Sequence, residues 1–259
     1  MLNFIINLLY LIFFGSQLIT CIFLIIRTIK IKQSNLLPLI LFFFFNPLEV
    51  ILILLVGSST IVNMLSNICL VIFTKYTFFR EKKSPFWYLL ISLIMLKIID
   101  VVLKVYIPFS IPLNFVVSAP QVPLFYLYLT LSSLSILLSY PWLGLTAIKY
   151  YKSIKTKNVE PWIKTRYKLI GYSSLIMIIN GILYFLFPID SYSWEQLYPF
   201  IIGLLITINT TIFSISNLIA WIMPKRLKDY LNRDYKAIVD ENLTEGEIMN
   251  KIREDTNKE

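Results

Sequence analysis

The segment from Phe86 to Ile107 constrains this chain more than any other part of its sequence. The run FWYLLISLIMLKIIDVVLKVYI is apolar and long enough to cross a bilayer, which takes about 20 residues. It nevertheless carries Lys97, Asp100 and Lys104, whose spacing puts them on one face of a helix. Because a charge at membrane depth costs roughly 2.5–3.5 kcal/mol on insertion scales, we expect that face to point into a protein bundle or a hydrated cavity.

Six further apolar runs of similar length accompany this one, which predicts an all-α, polytopic bundle of seven transmembrane helices. Hydrophobic residues make up 57% of the 259 residues, above the roughly 45–50% of a soluble domain. The runs cover approximately 2–27, 36–57, 58–79, 86–107, 122–148, 167–188 and 197–223. They predict one transmembrane domain over 1–224, followed by a tail over 225–259.

The positions of lysine and arginine predict the orientation of these helices. Of the 24 basic residues, 21 lie in 27–35, 80–85, 149–168 and the tail, whereas the alternate links hold none. Cytoplasmic links carry the excess of basic residues in membrane proteins. The pattern therefore predicts a multi-pass protein of the cell membrane, with its N-terminus outside and its C-terminus in the cytoplasm. Trp87 and Trp221 fall at cytoplasmic helix ends, which predicts interfacial anchors.

The tail divides by charge. Residues 225–236 hold five basic and two acidic residues, whereas 237–259 hold three basic and seven acidic ones. This predicts an amphipathic basic helix on the anionic inner leaflet, followed by an acidic segment. Basic residues in excess of what topology needs suggest contact with anionic lipid or a cytoplasmic protein partner. The predicted contact residues are Lys152, Lys155, Lys157, Lys164, Arg166, Lys225, Arg226 and Lys228.

Polar residues inside the apolar runs form the second candidate site. Glu49 in the second run lies at a depth similar to that of Lys97 and Asp100, so these residues and Lys104 are expected to cluster. Amide side chains add to this candidate ligand or ion pathway at Asn46, Asn63, Asn67, Asn180 and Asn217. A charge-compensated bundle held by the same side chains is the structural alternative.

Several chemistries are excluded or disfavoured by what the sequence lacks. The absence of histidine excludes His-ligated haem, His-containing zinc sites and a Ser–His protease. The net charge of +9 is explained by topology, so no nucleic-acid partner is expected. No phosphate-binding, dinucleotide or hydrolase motif occurs. We therefore expect no enzyme, no cofactor and no metal site.

Two families have a similar helix plan. The seven helices, outside N-terminus and short basic tail helix resemble the plan of G-protein-coupled receptors, but Phe79-Arg80-Glu81 stands where that family has Asp-Arg-Tyr. The shared orientation of runs one to three and five to seven resembles PQ-loop and SWEET-like transporters, although Pro120-Gln121 falls outside that family's motif position. These are likenesses of architecture rather than of site.

Three functions remain open from the sequence. A receptor-like or sensory protein would couple an outer-side cue to a cytoplasmic partner through the basic residues. A small transporter or channel would use the intramembrane charge cluster. A non-catalytic structural membrane subunit would need neither the coupling through the basic residues nor a pathway through the charge cluster.

Overall fold

The computed structural model describes residues 2–31, 36–56, 60–79, 83–106, 114–116, 122–186, 191–193, 197–233 and 235. Eight α-helices and two short strands lie in this part of the chain. The helices are α1 (Leu2–Ile31), α2 (Leu37–Val56), α3 (Thr60–Thr74), α4 (Phe86–Tyr106), α5 (Val122–Lys155), α6 (Pro161–Tyr184), α7 (Leu197–Ile222) and α8 (Lys225–Leu231). The strands are β1 (Asn114–Val116) and β2 (Ser191–Ser193).

Six of these helices are long and apolar enough to cross a membrane: α1, α4, α5, α6, α7, and α3 together with the π-helical segment Lys75–Phe79 that continues it. α2 has 20 residues with Pro47 inside it, and its part Leu37–Glu49 is a shorter apolar helix. The prediction of a helical membrane protein is therefore confirmed. α5 continues through Pro141, which lies inside the helix.

The helices pack in a closed ring. Each helix from α1 to α7 contacts the next one along the chain, and α7 returns to contact α1. α3 contacts α5 as well as α2 and α4, which brings it towards the centre. α8 packs against α6. The ring encloses an interior that inward-facing side chains of at least six helices can reach.

Glycines allow α5 and α6 to approach closely. A Cβ added to Gly171 would lie 2.6 Å from Cγ1 of Ile148, and one added to Gly144 would lie 2.8 Å from Cδ2 of Leu175. Small residues at helix crossings let backbones approach, which is how membrane helices gain van der Waals contact. Ser133 adds a hydrogen bond from its Oγ to the carbonyl of Gly181 at 2.5 Å.

One end of the bundle carries basic residues, and we call it the basic end; it holds Arg27, Lys83, Lys155, Lys164 and Lys225. The opposite end carries the antiparallel pair of β1 and β2, in which Phe115 pairs with Tyr192, and we call it the ribbon end. The all-α prediction did not include this ribbon. It joins the α4–α5 link to the α6–α7 link.

The tail is described only near α7. α8 lies at the start of the basic segment; Leu227 and Leu231 pack on the core, and Lys225 and Arg226 are exposed. The predicted acidic segment, 237–259, lies outside the described residues. The division into a domain of 1–224 and a tail of 225–259 stays a prediction.

Candidate functional site

A polar cavity of about 190 Å³ lies inside the ring, between α1, α2, α3, α5, α6 and α7. Its apolar walls come from Phe13, Ile136, Met177, Ile206 and Phe213. Its polar lining consists of Gln17, Asn46, Glu49, Asn63, Ser66, Asn67, Tyr140, Asn180, Tyr184, Thr207 and Thr210. Five of the nine predicted pathway residues are in this lining, so the helices bring them together as a site.

Helical spacing explains why α2 and α3 present polar groups here. Asn46 and Glu49 lie three residues apart on α2, and Asn63, Ser66 and Asn67 lie three and four residues apart on α3. Ser66 Oγ donates a hydrogen bond to Asn46 Oδ1 at 2.5 Å. Asn67 Nδ2 donates to the backbone carbonyl of Asn63 at 3.0 Å. The polar faces of the two helices therefore meet each other and the cavity.

Glu49 is tied to the charged face of α4 through Asn63. Nδ2 of Asn63 donates to both carboxylate oxygens of Glu49, at 2.9 and 3.0 Å. Oδ1 of the same amide accepts a hydrogen bond from Lys97 Nζ at 2.6 Å. Lys97 Nζ also lies 3.6 Å from Asp100 Oδ2, and the side chains of both residues are buried, with relative exposures of 3%. The predicted cluster of Glu49, Lys97 and Asp100 thus forms, with an amide at its centre.

Lys97 and Asp100 lie behind Asn63 rather than in the cavity wall. α4 contacts α3 and α5 but contributes no residue to the described lining. The side chain of Lys104, the fourth member of the predicted cluster, lies outside the described residues. Three charged side chains of the cluster are therefore described, two carboxylates and one ammonium.

The opposite wall is built by α6 and α7. Asn180 Nδ2 donates to Thr210 Oγ1 at 3.1 Å, and Asn209 Nδ2 donates to Asn180 Oδ1 at 2.9 Å. Asn217 is buried and lies outside the lining of this cavity. Its Nδ2 donates to the carbonyl of Phe213 at 2.9 Å within α7, and its role as a pathway residue stays a prediction.

Sequence reasoning missed Gln17 and both tyrosines of the lining. Gln17 is fully buried, and its Nε2 donates to Ser214 Oγ on α7 at 2.5 Å. The sequence does contain a signal for Gln17, because Gln17 and Thr20 are polar residues at helical spacing within an apolar run. Tyr140 and Tyr184 carried no comparable signal, since aromatic residues are common at membrane interfaces and in cores.

A layer of aromatic side chains lies on the side of the cavity that faces the basic end. Phe42 precedes Asn46 by one turn, Tyr140 follows Ile136, and Phe213 follows Thr210, so all three lie on that side of the cavity. Their ring centroids are 5.3 to 6.3 Å apart in edge-to-face contact. Phe42 and Phe213 are almost completely buried. The layer lies between the polar lining and the basic end.

Arg166 was predicted as a contact residue on the surface of the basic end, but it lies inside the bundle. Its guanidinium lies 4.5 Å from the ring of Trp162 and 5.5 Å from that of Trp221, and its Nε donates to the carbonyl of Ala220 at 3.0 Å. Only 2% of Arg166 is exposed, because this position of α6 faces α7. It joins two helices and is not on the surface.

The other predicted contact residues lie on or near the surface. Lys152, Lys155, Lys225 and Arg226 are exposed, and Lys157 is half-buried. Lys164 Nζ donates to the carbonyls of Lys155 and Lys157, at 2.9 and 2.8 Å, and thereby caps the end of α5. Lys228 Nζ lies 4.3 Å from the ring of Trp162. Their role in binding lipid or a partner stays a prediction.

The fold and cavity define a helical membrane protein with a polar site inside its bundle. No protein-family model, curated protein or solved structure matches the chain. Within the described residues there is no group of three histidine, cysteine, aspartate or glutamate side chains that could hold a metal ion. The described lining of the cavity offers hydrogen-bonding groups, one carboxylate and aromatic rings.

Proposed function

We propose that this protein is a receptor-like or sensory seven-transmembrane protein of the cell membrane. It binds a small ligand in the polar cavity and couples that event to a cytoplasmic partner at the basic end. In this proposal α2, with 20 residues, is the seventh span, the ribbon end faces outside and the basic end faces the cytoplasm.

The observation that carries the proposal is the aromatic layer of Phe42, Tyr140 and Phe213. A channel needs a continuous hydrated path, whereas three packed aromatic rings lie between the described lining and the basic end. A ligand in the cavity contacts Tyr140 and Phe213 directly. Because packed cores tend to have discrete arrangements, a change in these rings is passed on to α5 and α7, which run to the basic end.

A small transporter is the second candidate, because the Glu49, Lys97 and Asp100 cluster favours it. Ionisable groups at membrane depth commonly mark substrate or ion pathways. Alternating access would open the aromatic layer in a second conformation. In that case the residues of the midplane, not those of the basic end, carry the activity.

The deciding experiment compares two groups of variants. One group neutralises Lys152, Lys155 and Lys157 to glutamine or truncates the chain after Tyr235. The other group changes the charged residues of the midplane. Both groups are scored for membrane insertion and for rescue of the phenotype of a strain that lacks the gene. A receptor loses its cellular readout with the first group while it stays inserted and keeps ligand binding.

The second group contains Glu49→Gln and Lys97→Met, with Met95→Leu as the matched control. Met95 lies on α4 close to Lys97 in the sequence, but its side chain is exposed on the outside of the bundle. If the first group keeps full activity while Glu49→Gln and Lys97→Met abolish it, the transporter replaces the receptor.

Cysteine labelling tests the orientation separately. A cysteine at position 155 is expected to react only from the cytoplasm and one at position 192 only from outside, because the basic links stay inside. The native Cys21 and Cys69 are buried, which keeps the background low. Labelling of both sites from the same side would exclude the seven-helix proposal.

A further inference from the structure

Gln17 presents an unsatisfied oxygen inside the bundle. Its side chain is fully buried and lines the cavity, and its Nε2 donates to Ser214 Oγ on α7 at 2.5 Å. Its other polar atom, Oε1, has no hydrogen-bond partner in the described part of the chain. Buried polar atoms in native proteins nearly always have a partner, because leaving one unpaired is costly. The amide of Gln17 is therefore fixed by α7 at one atom and open to a hydrogen-bond donor at the other.

Asn46 presents the complementary group on the neighbouring helix. It lines the same cavity, and its Oδ1 accepts a hydrogen bond from Ser66, whereas its Nδ2 donates to no described residue. The two amides lie at similar depth, because Cys21 Sγ contacts the carbonyl of Ile40 at 3.7 Å where α1 meets α2. From that contact Gln17 lies four residues, or about 6 Å, towards the ribbon end, and Asn46 lies six residues, or about 9 Å. An open acceptor and an open donor thus reach one space from two adjacent helices.

A neutral amide group fits this pair of open atoms. Its N–H groups donate, as Gln17 Oε1 requires, and its carbonyl oxygen accepts, as Asn46 Nδ2 requires. Both open groups are uncharged, so they do not compensate the loss of water around an ion. The carboxylate of Glu49 already accepts a hydrogen bond from Asn63 at each of its oxygens. The open atoms therefore favour a ligand that donates and accepts without a charge.

The rest of the wall limits the size of this ligand and favours carbon atoms in it. A cavity of about 190 Å³ has room for about six waters at their share of liquid volume, below the roughly 300–1,000 Å³ of pockets for drug-sized ligands. Phe13, Ile136 and Phe213 contribute apolar surface to the wall. Carbon atoms are placed favourably against such surface, whereas water is not. A small amide with an apolar part satisfies both the open polar atoms and this wall.

We propose that the ligand of the cavity is a small neutral amide. Its N–H donates to Gln17 Oε1, its carbonyl accepts from Asn46 Nδ2, and its carbon atoms lie against the apolar wall. This inference rests on the proposed function, since it names the chemical class of the ligand of that same site.

Thermal unfolding of the full-length protein in detergent tests it with probes of nearly the same shape. One series is acetamide, acetone, acetate and acetamidinium, and the other is benzamide, acetophenone, benzoate and benzamidinium. In each series the amide donates and accepts, the ketone only accepts, and the last two carry a negative and a positive charge. The amide of at least one series is expected to raise Tm by several degrees at saturation. It should bind on the order of 10-fold more tightly than its ketone, and the ions should leave Tm unchanged.

Variants assign this preference to the open atoms. Gln17→Met removes the open oxygen and is expected to abolish the preference for the amide over the ketone, because the N–H then has no acceptor. Ser214→Ala is the matched control, since it removes the same bond between α1 and α7 but keeps the oxygen of Gln17, and Ser214 is not in the described lining. Asn46→Leu is expected to weaken the amide and the ketone alike, on the order of 10-fold, because both use their carbonyl. If Gln17→Met does not fold, the order of the probes on the wild-type protein and on Asn46→Leu decides.

Three results would overturn the inference. A preference for the amide over the ketone that survives in Gln17→Met is the first. A ketone or an ion that binds the wild-type protein as tightly as its amide is the second; it removes the neutral amide but keeps the ligand site of the proposed function. No effect of any probe is the third, and it removes both the amide and that ligand site.

Discussion

The buried pair of Lys97 and Asp100 gives the sharpest prediction about stability. Lys97→Met removes the ammonium that serves two carboxylates, whereas Asp100→Leu leaves Lys97 its bond to Asn63 and its attraction to Glu49. We therefore expect Lys97→Met to be the more damaging of the two single changes. The double variant removes both members of the pair and is expected to be more stable than Lys97→Met alone.

The magnitude follows from burial. Leaving one member of a buried ion pair without its partner costs about 3–5 kcal/mol, and both residues here are only 2% exposed. At roughly 2–4 °C per kcal/mol for a chain of this size, Lys97→Met lowers Tm by about 6–20 °C. Asp100→Leu should cost about 1–3 kcal/mol, the range for a buried group that loses one partner.

The assay is a double-mutant cycle on thermal unfolding in detergent. The coupling energy between Lys97 and Asp100 is expected to be about 2–3 kcal/mol, near the upper end for residues in contact. Lys97→Met combined with Asp229→Asn is the control cycle, since Asp229 is exposed on α8 and should be additive. Additivity of the first cycle within about 0.5 kcal/mol would show that the two side chains do not interact.

Two further predictions concern helix contacts. Arg166→Lys is expected to lower stability by about 2 kcal/mol, because a lysine cannot stack on Trp162 while it donates to Ala220; the exposed neighbour Lys168→Gln should stay within about 0.5 kcal/mol in the same thermal assay. Gly171→Ala should cost about 1–3 kcal/mol by forcing α5 and α6 apart. Gly15→Ala, with nothing within 4 Å of the added methyl, should gain about 0.5–1 kcal/mol, and equal effects at the two glycines would refute the close approach.

The sequence predicted the helices because each crossing segment must be apolar over its whole length. Phe86–Ile107, for example, was expected as a span and is helical over Phe86–Tyr106. The sequence also predicted Asn46, Glu49, Asn63, Asn67 and Asn180 as site residues, because a polar side chain in an apolar run must face the interior.

Neighbour relations were not predictable in the same way. Hydropathy describes one segment at a time. It therefore does not predict the contact of Gln17 with Ser214 or the ribbon of β1 and β2. Arg166 and Trp221 misled for a related reason. Each lies close to the predicted membrane surface, where arginine and tryptophan are usually exposed, but here both are buried, and the guanidinium of Arg166 lies 5.5 Å from the ring of Trp221.

The contact of Gln17 with Ser214 also has a consequence for how the protein is made. The two side chains are 197 residues apart, and at roughly 5–20 residues per second the ribosome needs on the order of 10–40 s to add those residues. During that interval α1 is already synthesised while α7 does not yet exist. The amide of Gln17 must then be satisfied by water, by lipid headgroups or by an insertion factor. A chain that stops before α7 keeps this amide without its native partner, and a buried polar group without a partner costs about 1–3 kcal/mol.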